Sequence, residues 1–185
     1  PEVLNLKAMN GELDMQLRHL SWENFTLLME NQDKYDYTVL EWQLAEGTNF
    51  GIMPNQSHPD PVMRSLIQDR DFRIGLSLAI DRDEINEFAY LGMGTPRQSS
   101  VIEQSPYFRL EHAESYAEYD PDQANEYLDA AGITERDRDG FRLRPDGEPL
   151  TLTIELSHTF GPWPDVANLV KKYWDAVGVR TAVKV

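Results

Sequence analysis

The acidic run ERDRDGFRLRPD is the nearest approach in this sequence to a metal site. Glu135, Asp137 and Asp139 occupy alternate positions, Gly140 follows, and Asp146 stands twelfth. That is the ligand spacing of an EF-hand calcium loop. Three features oppose calcium: the first ligand is Glu rather than Asp, Arg142 stands where an apolar residue is usual, and Pro145-Asp146-Gly147 cannot begin an exit helix. A solvated acidic turn is the expected alternative. The histidines His19, His58, His112 and His158 are dispersed, without the i, i+2 or i, i+4 spacing of a zinc site. His158 stands apart from the other three. It lies where a strand ends and a loop leads into a helix N-terminus, the edge at which open α/β sheets bind ligands. The plainer reading is an exposed loop histidine.

Ser99, Ser100 and Ser105 lie in a long loop without the G-x-S-x-G elbow of a hydrolase nucleophile. Gly92-x-Gly94 is half of a phosphate-binding fingerprint and lacks the third glycine and the following helix. Asn24-Phe25-Thr26 and Asn55-Gln56-Ser57 match the glycosylation pattern, which matters only in a eukaryotic secretory setting. Aromatic residues near loops carry more information. Trp42 falls late in a β-prone stretch, Tyr107 and Phe108 sit in the long loop, and HTFGPWP holds Trp163 between two prolines. A stiffly held indole suits stacking on a sugar face or packing on a peptide side chain; it equally suits plugging a sheet edge.

The elements that must position these residues read as α/β. Aspartates cap helices: Asp81 with Glu84 three residues on, and Asp120 with Pro121 and Gln123. The stretch Asp71 to Gly92 reads as two consecutive helices, with Phe72, Leu76, Ala79 and Ile80 facing inward before the junction and Ile85, Phe88 and Ala89 after it. Further helices are expected near the start, over 21–32, from Pro61 to about Gln68, from Pro121 to Gly132 and over 165–177. Extended pieces are expected over 13–17, 36–44, 50–53, 150–156 and 179–185, with turns at Asp139-Gly140 and Asp146-Gly147. The final strand, helix and strand are long enough for a parallel crossover.

Composition narrows the class. The 185 residues include 17 basic and 32 acidic side chains, a net charge of −15 that repels phosphate backbones and opposes nucleic-acid binding. No run of about 18 apolar residues occurs. The absence of cysteine excludes thiol catalysis, disulfides and thiolate metal sites. The opening PEVLNLKAMN has no signal-peptide pattern, and both ends read as cut from inside a longer protein.

Several stretches taken together carry a resemblance. DFRIGLSLAIDRDEI, LGMGTP leading to SPYF, YDPDQANEYLDAAG, RPDGEPLTLTIEL and a helix running into VGVRTAVKV occur in that order. They resemble the extracellular solute-binding proteins of family 5, the receptors of ABC importers for oligopeptides, dipeptides, nickel complexes and some oligosaccharides. The likeness is strongest from Asp60 to Val185, and GELDM resembles the family's Gly-Glu-x-Asp turn. It implies a two-lobed periplasmic-binding-protein type II clamshell, with residues 1–185 forming a single lobe of mixed sheet and helices excised from the longer chain. Trp163 and His158 match a cleft-facing region of peptide-binding members, and Trp42 falls near a strand running back toward the cleft. The resemblance implies no catalytic residue, metal or cofactor. It implies a peptide or other small ligand, permease subunits and the remaining lobe as partners, and a periplasmic or extracellular location, free or lipid-anchored. An oligosaccharide or a nickel chelate is the alternative ligand; an α/β enzyme or interaction domain is the remaining class.

Overall fold

The computed structural model describes residues 2–20, 22–42, 45–157 and 161–185. Helix α1 (Glu2–Met9) and helix α2 (Phe25–Tyr35), the latter entered through a 3-10 turn at Trp22–Asn24, pack against each other. Asn24 caps α2 without a side-chain bond, and Leu28 is the only buried apolar residue that α2 contributes. The β-prone stretch over 36–42 and the pieces at 13–17 and 50–53 are not strands. A β-former needs a neighbouring ladder, and none runs beside them among the described residues.

The core begins at helix α3 (Pro61–Gln68). Asp60 accepts from Val62 N at 2.8 Å and Met63 N at 3.1 Å, and Pro61 occupies the first turn, where its missing N–H costs nothing. Asp69 repeats the device for helix α4 (Arg70–Leu78), accepting from Asp71 N and Phe72 N. Asp81 caps helix α5 (Arg82–Tyr90) by accepting from Glu84 N at 2.8 Å, as the spacing predicts. The reciprocal half of the box is replaced: the Glu84 carboxylate turns to Lys172 and to the Tyr173 hydroxyl. A second departure concerns Phe88, which is 68% exposed, while Ile85 and Ala89 face inward.

Helix α6 (Leu110–Glu114) is a short turn that the sequence reading does not anticipate. Helix α7 (Pro121–Ala130) forms on the Asp120 cap and crosses α4 closely. The approach is so tight that a Cβ at Gly75 would lie 2.9 Å from the Ala124 carbonyl and 2.8 Å from Leu128 Cγ. The hairpin expected after Gly132 forms through antiparallel bridges Arg136–Arg142 and Leu143–Pro149, with Gly140 and Gly147 in the left-handed region that its turns require. Strand β1 (Thr151–Glu155), helix α8 (Trp163–Ala176) and strand β2 (Arg180–Lys184) complete the chain, and β1 pairs with β2 in parallel, Thr151 opposite Arg180.

Arg142, read in the sequence as misplaced for a calcium loop, is 1% exposed and ties the hairpin to two helix ends. It donates to the Ile133 carbonyl at 2.7 Å, the Val177 carbonyl at 3.0 Å, Asn125 Oδ1 at 2.7 Å and Asp129 at 2.5 Å. These are the C-terminal ends of α7 and α8, where carbonyls lack helical partners. Asp137 of the same run accepts from Asp139 N and Phe141 N and pairs with Arg180 at 2.8 Å. Among the described residues no three His, Asp or Glu side chains gather as a metal would need.

Candidate ligand-binding site

A cavity of about 570 Å3 opens between the segment 46–54, helices α4, α5 and α8, and the first part of the 92–108 loop. The inner stripe of α8 builds one wall. Val166, Val170 and Trp174 recur at the spacing of one helix face and point inward, all but buried. Trp174 also donates from Nε1 to the Leu76 carbonyl at 2.9 Å, which pins α8 to α4. Leu76, Ile80 and Ile85 form the opposing apolar wall.

The segment 46–54 crosses this cavity as a strap. Gly47 runs so close to Ser100 that a Cβ there would overlap the Ser100 carbonyl, so only glycine allows the crossing. Asn49 fastens the strap: its Oδ1 accepts from the Tyr90 hydroxyl at 2.8 Å and from Trp163 Nε1 at 3.3 Å. Phe50 meets the Trp163 ring edge-on at 5.9 Å between centroids, an arrangement the ring quadrupoles favour. Burial pushes the Tyr90 hydroxyl up to about 12, so it stays a donor throughout the physiological range.

The loop from Gly92 is fixed at two points. Asn86 pairs with Gly94 like a short ladder, accepting from Gly94 N at 2.7 Å and donating to its carbonyl at 3.1 Å. Further on, the Gln98 amide donates to Ser77 Oγ at 2.7 Å and the Ser115 carbonyl at 2.9 Å, while Gln98 N donates to the Ala113 carbonyl at 2.8 Å. Arg82 lies beneath, donating to the Ser77 and Ala117 carbonyls, both at 3.0 Å. Burial depresses its basicity without discharging it.

Of the residues singled out by sequence, Trp163 packs against the strap through Asn49 and Phe50 at the start of α8, beside the cavity but not among the residues that line it. Trp42 is 56% exposed and does not line the cavity. His158 lies outside the described residues. Tyr107 is exposed and Phe108 packs beneath the Arg97 guanidinium. Sequence reasoning missed Asn49, Tyr90, Gln98 and Trp174. Only Trp174 left a legible trace, since positions 166, 170 and 174 continue one helical stripe from 163.

Comparison with known proteins places this arrangement. The model of the bacterial extracellular solute-binding proteins, family 5 (middle region), matches residues 1–185. The chain belongs to that family. An oligopeptide-binding protein OppA is 45% identical, with 99% of this chain matched to 29% of its own length and a TM-score of 0.77. A periplasmic oligopeptide-binding protein of Thermotoga maritima, solved with mannohexaose bound, is 25% identical over 99% of this chain and 33% of its own, with a TM-score of 0.69. NikZ from Campylobacter jejuni, solved with Ni(L-His), shares the fold at a TM-score of 0.78 and 19% identity, over 99% of this chain and 34% of its own. The chain therefore spans about a third of the length of these proteins, and its fold is a lobe-sized portion of the periplasmic-binding-protein type II architecture. No curated protein sequence matches it.

Proposed function

We propose that this chain is part of the substrate-binding component of an ABC importer, capturing a small solute between two lobes and delivering it to permease subunits in the membrane. A peptide is the ligand favoured, carried by the 45% identity to an oligopeptide-binding protein across 99% of the chain. In this reading residues 1–185 contribute one lobe, and Trp163, held by Asn49 and Phe50 of the strap, offers its indole to the ligand. Trp42, exposed on the segment leading to the strap, and His158 are the further ligand-facing positions carried over from the sequence. The role is capture and release without covalent chemistry, in the periplasm or outside the cell. Support for the location comes from a family described as extracellular; among the described residues no helix is long and apolar enough to cross a membrane.

An oligosaccharide is the second reading. It is favoured by a 25% identical relative solved with mannohexaose and by an aromatic ring suited to a sugar face. A thermal-shift screen of the full-length parent with tetrapeptides, mannohexaose and nickel–histidine separates these. A true ligand at a hundredfold excess over its Kd stabilises the protein by about 2.7 kcal/mol. Stabilisation by none of the three classes overturns the receptor reading.

A further inference from the structure

Helix α5 ends on an anomaly. Leu91, its C-terminal cap, holds φ at 56° and ψ at 31°, the left-handed region that glycine enters freely and a leucine enters only under strain. This conformation closes the helix, because the Leu91 and Gly92 N–H groups both reach the Asn86 carbonyl. Glycine at 91 would close it as well. Leu91 is nevertheless 50% exposed, so burial among the described residues offsets little of the strain. Phe88, three residues earlier and a neighbour on the helix surface, is 68% exposed, and Met93 just beyond is 45% exposed. Trp22 adjoins this end of the helix: its Nε1 donates to the Tyr90 carbonyl at 3.3 Å, and its ring lies 5.2 Å from that of Phe25. Large apolar side chains gathered in this way mark a contact surface, where a scattered leucine would mark nothing. None of Phe88, Leu91 and Met93 lines the cavity described above.

The size of the patch selects its occupant. A stable interface between separate proteins uses roughly 20–30 residues a side, and here only a handful are offered. A segment of the same chain needs far less, because its tether holds it at an effective concentration of about a millimolar. The length of the relatives supplies such a segment: this chain covers 29% of the OppA protein and 34% of NikZ, so most of a parent of that length lies outside residues 1–185. We propose that Phe88, Leu91 and Met93 form a docking face for an apolar segment of the parent chain outside residues 1–185. Leu91 is kept in its strained conformation because its side chain enters that contact. The inference rests on the lengths of the relatives and not on solute capture, so it stands or falls apart from the receptor reading.

The test is hydroxyl-radical footprinting of the wild-type full-length parent, read by mass spectrometry at Phe88 and Met93 in the folded state and in urea. Docking predicts modification at least about tenfold slower in the folded parent, as for side chains reached only through local opening, and the same protection at every dilution. Leu91→Gly should lower the melting temperature of the parent, because the loss of a buried leucine outweighs the relief of the backbone. Weaker protection at Phe88 and Met93 overturns the docking face. So does protection that disappears on dilution, which would make a second copy the occupant, and so does a higher melting temperature for Leu91→Gly. The wild-type footprint decides even where Leu91→Gly does not fold.

Discussion

The indole of Trp163 donates to Asn49 Oδ1 at 3.3 Å across 114 positions of sequence. The same oxygen takes the Tyr90 hydroxyl at 2.8 Å, so one carboxamide joins the strap, α5 and the start of α8. Asn49→Leu removes the acceptor for both donors. We expect a loss of about 1–2 kcal/mol in urea denaturation, together with an upfield move of the Trp163 indole N–H resonance. An unchanged resonance would show that Asn49 does not set the ring.

Arg142 is the most heavily used side chain of the described structure. Replacing it with Met keeps bulk but orphans the Ile133 carbonyl and leaves the Val177 carbonyl only the longer bond from Arg136 Nη2 at 3.4 Å. The expected loss is about 3 kcal/mol in denaturant titration. A loss below about 1 kcal/mol would mean that water replaces the guanidinium.

Gly75→Ala places a methyl against the Ala124 carbonyl and Leu128. Helix propensity favours alanine by about 1 kcal/mol, yet overpacking costs about 1–3 kcal/mol. The contact wins because the Ala124 backbone carbonyl, 2.9 Å away, cannot yield as a side chain can, so the variant should melt at a lower temperature than wild type.

Stability should fall at both ends of the pH scale. Asp60 titrates below its ordinary 3.8 because it accepts from Met63 N, with Val62 N and Arg144 adding to this. Asp146 does so through Arg144, and Glu84 lies below 4.5 through the Tyr173 hydroxyl and Lys172. Their stabilisation is complete above these ordinary values and is lost as pH drops beneath them, because the unfolded chain then binds more protons. Tyr90 and Tyr173 behave in the opposite sense. Burial raises both, and Glu84 raises Tyr173 further. Their contribution is present below pH 10 and falls as pH rises above it, through about 12 for Tyr90. Denaturant midpoints measured from pH 3 to 11 should trace a plateau that falls at both ends; a midpoint that rises below pH 4 would contradict these assignments.

Much of the scaffold is legible in the sequence because its signals are local. Asp60, Asp69, Asp81 and Asp120 each cap a helix through their own nearest N–H groups, an interaction fixed within four residues. The glycine turns of the hairpin and the alternation of β1 are equally short-range. The stretch over 36–42 was misread because β-propensity records fit to a neighbouring strand, which no local window contains. The cavity escaped for a related reason. Asn49, Tyr90 and Trp163 are ordinary residues until the fold brings them together, and no spacing rule links positions so far apart. Phe88 misled in the other direction: its helical phase is right for burial, yet the face it shares is left open.

The account turns on solute capture beside the strap that Trp163 holds. Its most direct test is titration calorimetry of the full-length parent, wild type and Trp163→Ala, against a mixed tetrapeptide set. We predict saturable one-to-one binding by wild type and about tenfold weaker binding by the variant, the scale of one well-packed aromatic contact at a binding surface. Absence of peptide binding to wild type, or an affinity unchanged by Trp163→Ala, would contradict it.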